Sequence, residues 1–156
     1  MVNMINMYSN IDKFKMDNIF FQGAIKNTVI DNSIFIRIIY SNEMFSMNGI
    51  FVDIPITITN TERYYNKYKC IFDVNKNMDE ITKIIALEQN LLQKLNIQNK
   101  IMKFNISEQL KTGHIKLFSS DSVHPGNKII LKISGVWENN IEFGLTFKFS
   151  SVNHLF

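Results

Sequence analysis

The sequence predicts a mainly β fold with one amphipathic helix over 78–96, built as an OB-like five-stranded barrel or a β-sandwich. It ends in a long antiparallel hairpin over 128–150. Three observations predict this. Short runs rich in β-branched and aromatic residues recur between polar breaks. One stretch alone places apolar residues at helical spacing. The last segment reads as two alternating runs around Glu138, Asn139 and Asn140.

Residues 1–17 are polar, rich in Asn and Met and without period, and read as a loose N-terminal arm before a single β-rich domain over 18–156. The domain opens with a brief apolar run at 19–24, then SIFIRIIY at 33–40, a strand buried on most sides. Asn48-Gly49 is a tight-turn pair before a strand over 50–59, where Pro55 requires a bulge, an edge or a break. The next strand, 64–74, alternates: Tyr68, Cys70, Phe72 and Val74 lie on one face, and Tyr65, Lys67, Lys69 and Ile71 on the other.

The helix carries Ile81, Ile84, Ile85, Leu91, Leu92 and Leu95 as a stripe for core packing. Asn77 with Glu80 three residues on has the form of a capping box, and Asn96 is a left-handed stop. A strand at 101–106, a helical turn at 107–110, a stop at Gly113 and a strand at 114–118 follow. A loop over 119–127 contains His124-Pro125-Gly126.

The register of the final hairpin follows from burial, since a one-residue slip exchanges the faces. A three-residue loop over 138–140 pairs Trp137 with Ile141, Gly135 with Phe143, Ile133 with Leu145, Leu131 with Phe147 and Ile129 with Phe149. One face is then wholly apolar. The other holds Lys128, Ile130, Lys132, Ser134, Gly144, Thr146, Lys148 and Ser150, and Asn140 is left-handed.

Composition narrows the function classes. A chain of 156 residues is about one domain long and large enough to bury a core without staples. Its single cysteine, Cys70, excludes an internal disulfide framework and reads as a small core residue. No run is long enough to span a bilayer, and the first residues lack a basic stretch followed by an apolar one. An intracellular protein with no membrane association and no secretion is expected. There are 25 Ile, 20 Asn and 15 Lys against 2 Arg. All three favoured types have AT-rich codons, so lysine abundance reports the genome before it reports chemistry. The net charge of +3 permits an anionic partner without requiring one.

Enzyme signatures for nucleotide, metal or serine chemistry are absent from the sequence. His114, His124 and His154 are far apart, and Glu138 and Glu142 read as solvated residues at a hairpin tip. A non-enzyme with no cofactor and no metal is expected. The positive pattern is one of binding. Tyr65, Lys67 and Lys69 share a strand face; Lys128, Lys132 and Lys148 share another with Ser134 and Thr146; Phe35, Arg37 and Ile39 share a third. Cations neutralise phosphates and aromatic rings stack on bases, so a groove lined by both suits a single strand. An antiparallel sheet with one wetted face gives each pattern separately; convergence on one surface would favour binding. Trp137 belongs to the apolar face or its rim, with stacking as the alternative. The candidate nucleic-acid contacts are Arg37, Tyr65, Lys67, Lys69, Lys128, Lys132, Trp137 and Lys148.

Three blocks carry a resemblance: FIRIIYSNEMFSMNGIFV at 35–52, EQLKTGHIKLF at 108–118 and ILKISGVWENNIEFGLTFKF at 130–149. They resemble a poorly characterised family of small proteins of large eukaryotic DNA viruses. The resemblance implies a viral origin and a setting in an infected host cell, and it carries over no residue role. Some viral single-stranded-DNA-binding proteins share an OB core with a terminal hairpin, and often end in an acidic tail with a final aromatic. This chain has Phe156 and no acidic run before it. The sequence therefore leads to a non-enzymatic protein that binds single-stranded nucleic acid, DNA in the first instance, in replication or genome handling. The alternative is a structural or interaction protein, a minor virion component or homo-oligomeric scaffold.

Overall fold

The computed structural model describes residues 9–118 and 128–152. The strands are β1 (Ser9–Asn10), β2 (Ile19–Phe21), β3 (Ile25–Lys26), β4 (Ile34–Ser41), β5 (Ser46–Asn48) and β6 (Ile50–Ile54). They continue with β7 (Ile58–Tyr64), β8 (Lys67–Phe72), β9 (Ile101–Lys103), β10 (His114–Phe118), β11 (Lys128–Glu138) and β12 (Glu142–Val152). The helices are α1 (Met78–Lys94) and α2 (Asn105–Lys111). The fold is mainly β, as the sequence predicts. All described strands join one mixed sheet whose main path runs β1-β6-β11-β12-β10-β8-β7. The sheet is open, with β1 and β7 at its two ends, and does not close into a barrel. From Thr59 onward most of β7 is exposed and polar, so this edge offers no apolar face for closure.

β11 is the spine. Ile129 to Ile133 pair with β6, placing Ile133 opposite Ile50, and Gly135 to Glu138 pair with β4, placing Trp137 opposite Phe35. The change of partner coincides with a bulge: the register against β12 shifts between Ile133 and Gly135, leaving Ser134 extra. The Ser134 hydroxyl donates to the Thr146 carbonyl at 3.2 Å. Gly135 is required there, because a Cβ would run into the Ile36 carbonyl and the Phe35 ring.

This bulge corrects the hairpin register expected above. Ile133 faces Phe147 and Leu131 faces Phe149; beyond the bulge, Val136 faces Leu145 and Trp137 faces Gly144. Val136 thereby joins the core, and Trp137 moves to the opposite sheet face. The tip is also different. Asn139, not a left-handed Asn140, closes it, its side-chain oxygen accepting from the Ile141 and Glu142 amides at 2.8 Å each. Glu138 is no solvated tip residue, since its carboxylate pairs with Lys100 at 2.9 Å.

Other elements follow or depart from expectation for local reasons. Pro55 breaks β6 from β7, and Asn96 is left-handed with φ 52°. The strand expected over 64–74 is one arm of the β7–β8 hairpin, with Tyr65 at its turn. The capping box does not form: buried Asn77 accepts from the Thr57 amide at 3.1 Å and donates to the Asp73 carbonyl at 2.7 Å. It ties the start of α1 to the chain after β6. The loose arm expected over 1–17 is docked from Ser9 onward. β1 runs parallel to β6, Phe14 stacks on Tyr40 at 4.9 Å, and Asp12 pairs with Lys83. His124-Pro125-Gly126 and the apolar end Leu155-Phe156 lie outside the described residues.

The core lies between one sheet face and the two helices. Ile81, Ile84, Leu87, Leu91 and Leu92 of α1 pack with Ile106 and Leu110 of α2 and with Leu117, Phe143, Leu145 and Phe149. One carboxylate is buried among them. Glu88 of α1 accepts from the Ile106 and Ser107 amides at 2.9 Å each and from the Ser107 hydroxyl at 2.5 Å. It supplies the N-terminal cap that the seven-residue α2 does not find locally.

Two predictions follow from this packing. Glu88→Ala strands two amides and a hydroxyl in the core and should cost about 3 kcal/mol of stability, while Glu88→Gln retains one acceptor and should cost about 1 kcal/mol. Chemical denaturation of both variants measures this, and equal small losses would show that the cap is dispensable. The second concerns Cys70, fully buried, whose thiol burial pushes up to about 11. The folded state keeps this proton after the unfolded chain, with a thiol near about 8.5, has lost it. Stability from this group is therefore complete below pH about 8.5 and declines toward pH 11. Cys70→Ala should flatten that decline in a pH series of denaturation midpoints, and parallel curves would refute it.

Candidate nucleic-acid interface

The sheet face turned away from the helices is built by the alternation that builds the core. On β8, Tyr68, Cys70 and Phe72 go inward, so Lys67 and Lys69 go outward. On β10, Ile115 and Leu117 go inward and Lys116 outward. On β11 and β12, Leu131, Ile133, Phe147 and Phe149 go inward, so Lys132 and Lys148 go outward.

Strand order aligns these lysines. Lys132 lies opposite Lys148, and Lys116 opposite Lys69. The bridge between Leu117 and Phe149, continued by one residue, sets Lys116 beside Lys148. Lys69, Lys116, Lys148 and Lys132 thus form one row across four neighbouring strands, about 14 Å long at sheet spacing. Phe51 ends the row on β6, with the Lys132 ammonium 5.4 Å from its ring centroid. Glu62, opposite Lys69 on β7, ends it on the other side. Among the described residues, no carboxylate makes an ion pair with any of the four lysines. Like charges placed side by side repel by about 0.8 kcal/mol per pair at about 5 Å in water.

The same face carries the aromatic cluster. Trp137 lies over Gly144, where a Cβ would sit 3.0 Å from the indole and from the Lys103 carbonyl. Phe35 covers Gly135, and the Arg37 guanidinium carbon lies 5.9 Å from the Phe35 centroid. Beside them opens a cleft of about 310 Å³, walled by Phe35, Arg37 and Thr146 on the sheet, by Ile25 of β3, and by Val29 and Ile30 of the β3–β4 loop. Asn27 shapes that loop, its side chain accepting from the Val29 and Ile30 amides.

The candidate residues do not all come together. Lys69, Lys132, Lys148, Arg37 and Trp137 share the face, with Trp137 there because of the bulge and largely buried. Lys67 shares it one row away. Lys128 also lies on this face but is neutralised by Asp53 at 2.9 Å. Tyr65 is not on the strand face: it occupies the β7–β8 turn with φ 56°, largely exposed, its ring edge-on to Tyr64 at 4.8 Å. Sequence reasoning passed over Lys116 and Phe51. The alternation of HIKLF already sets Lys116 outward, but its neighbours are known only from strand order.

Among the described residues no cluster of His, Cys, Asp and Glu is placed to hold a metal, and no helix is long and apolar enough to cross a membrane. Comparison with family models, curated proteins and solved structures gives no match.

The row has a measurable cost. Lys148→Gln, which removes the charge between two others, should stabilise the protein by about 1 kcal/mol at low ionic strength. The gain should vanish near 1 M salt, where the screening length is about 3 Å. Denaturation at both salt concentrations checks this; a salt-independent difference would mean the lysines do not interact.

Proposed function

We propose that this protein is a non-enzymatic binder of single-stranded nucleic acid, which it holds on the sheet face opposite the helices. The observation that carries the reading is the row of Lys69, Lys116, Lys148 and Lys132, which makes no ion pair with a carboxylate among the described residues and ends at the Phe51 ring. Phosphates relieve the mutual repulsion of the row, and their counterions are released. Phe51 and Phe35, both half-buried, offer ring surface on the same face. The viral resemblance of the three sequence blocks supports a role in replication or genome handling of a DNA virus.

A second reading, an interaction or structural protein, is favoured by the exposed apolar side chains Phe20 on β2 and Met44 in the β4–β5 turn.

Fluorescence anisotropy of a labelled single-stranded oligonucleotide decides between them. Four phosphate contacts should give a log–log salt slope of about −3. Lys132→Glu and Lys148→Glu should each weaken binding about tenfold and make the slope shallower by about 1. An absence of binding at low salt, or binding indifferent to salt, would leave the lysines as solvated surface and favour the interaction protein.

A further inference from the structure

The geometry points to a nucleobase subsite in the cleft between Phe35, Arg37 and the β3–β4 loop, where one base of the bound strand leaves the lysine row. This rests on the reading above and specifies how that face engages more than phosphates. The cleft, about 310 Å³, is of the size of small-ligand sites and far too small for a folded partner. Its walls are mostly apolar, Ile25, Val29, Ile30 and Phe35, so a planar, weakly hydrated group gains by entering. Val29 stands almost fully exposed at the rim, an apolar side chain for which the described residues provide no cover.

The polar equipment suits a base joined to a phosphate. Arg37 is half-buried beside the Phe35 ring, and no described carboxylate makes an ion pair with it. Its guanidinium plane can stack on a base while its edge donates to the adjoining phosphate. Thr146 adds a hydroxyl on the sheet wall. It lies on β12 two residues from Lys148 on the same face, about 7 Å along the strand, so a nucleotide whose phosphate sits at Lys148 is within reach of the cleft. The Asn27 side chain holds the loop wall in place, and Gly135 lets Phe35 lie flat against β11.

The test compares a single-stranded oligonucleotide with an all-abasic strand of the same length and phosphate count, at one salt concentration. Base stacking on a protein ring is worth about tenfold or more in affinity. The wild-type protein should bind the base-bearing strand at least tenfold more tightly. Phe35→Leu keeps bulk over Gly135 and removes the ring; Arg37→Lys keeps the charge and removes the plane. Each should cut the preference, read as the ratio of the two affinities for that variant, to about threefold or less. Thermal melting confirms folding of each variant, and Arg37→Lys alters no packed core residue. Lys132→Glu should weaken both strands alike and keep the preference. Equal wild-type affinity for the two strands would overturn the subsite while leaving the electrostatic reading standing. A preference that survives both variants would place the stacking elsewhere and also overturn it. Binding of neither strand would remove the parent reading and the subsite together.

Discussion

The extra residue at Ser134 sets the course of β11, and β11 touches more of the sheet than any other strand. Before the bulge, Ile129, Leu131 and Ile133 point into the core and β6 lies alongside; after it, Val136 takes over the core side and β4 becomes the neighbour. A straight strand could satisfy one of these partners or bury Val136, but not both. The bulge increases local twist, which lets two neighbours approach one edge from different directions. Gly135 and Gly144 then accept the rings of Phe35 and Trp137, so the aromatic cluster on the outer face is a by-product of how the core is filled.

The core also dictates the lysine row. Each lysine is flanked in sequence by residues that must be buried: Leu131 and Ile133 around Lys132, Phe147 and Phe149 around Lys148, Ile115 and Leu117 around Lys116, Tyr68 and Cys70 around Lys69. A one-residue slip of register would turn the lysines of a strand inward and expose those apolar side chains. The repulsion is a fraction of the burial energy, at about 1.5–3 kcal/mol for each large apolar side chain, so the core wins and the charges stay aligned. A fixed row of like charges is a surface whose energy improves when an anion binds.

Much of this was legible in the sequence. The α1 stripe, the alternation on β8 and β12, the break at Pro55 and the left-handed Asn96 are each dictated by residues within a few positions. The bulge left a signal that strict alternation overrode: it would have put Val136 outward and Gly135 into the core. β7 was lost because an exposed edge strand reading ITNTERY has no buried face to create a period. Strand order was beyond reach. Only the pairing of β10 with β12 and β8 shows that faces read separately as cationic lie side by side. Tyr65 was misplaced for a local reason, a left-handed turn residue that carries no glycine or asparagine.

The course of β11 also bears on how the chain reaches this state. Its partners β4 and β6 come from the first third of the sequence, so those ladders close only after the intervening chain has been made and arranged. Such non-local pairing places folding in the slow range, about milliseconds to seconds, while the β11–β12 hairpin can form from local contacts alone. Until β4 and β6 arrive, the hairpin presents an open edge and an apolar face that invite pairing with other chains. Lys132 and Lys148, fixed side by side on that hairpin, put like charge on each such intermediate. Two copies meeting edge to edge would have to bring those charges together, so the row acts as a gatekeeper against aggregation before the sheet is complete.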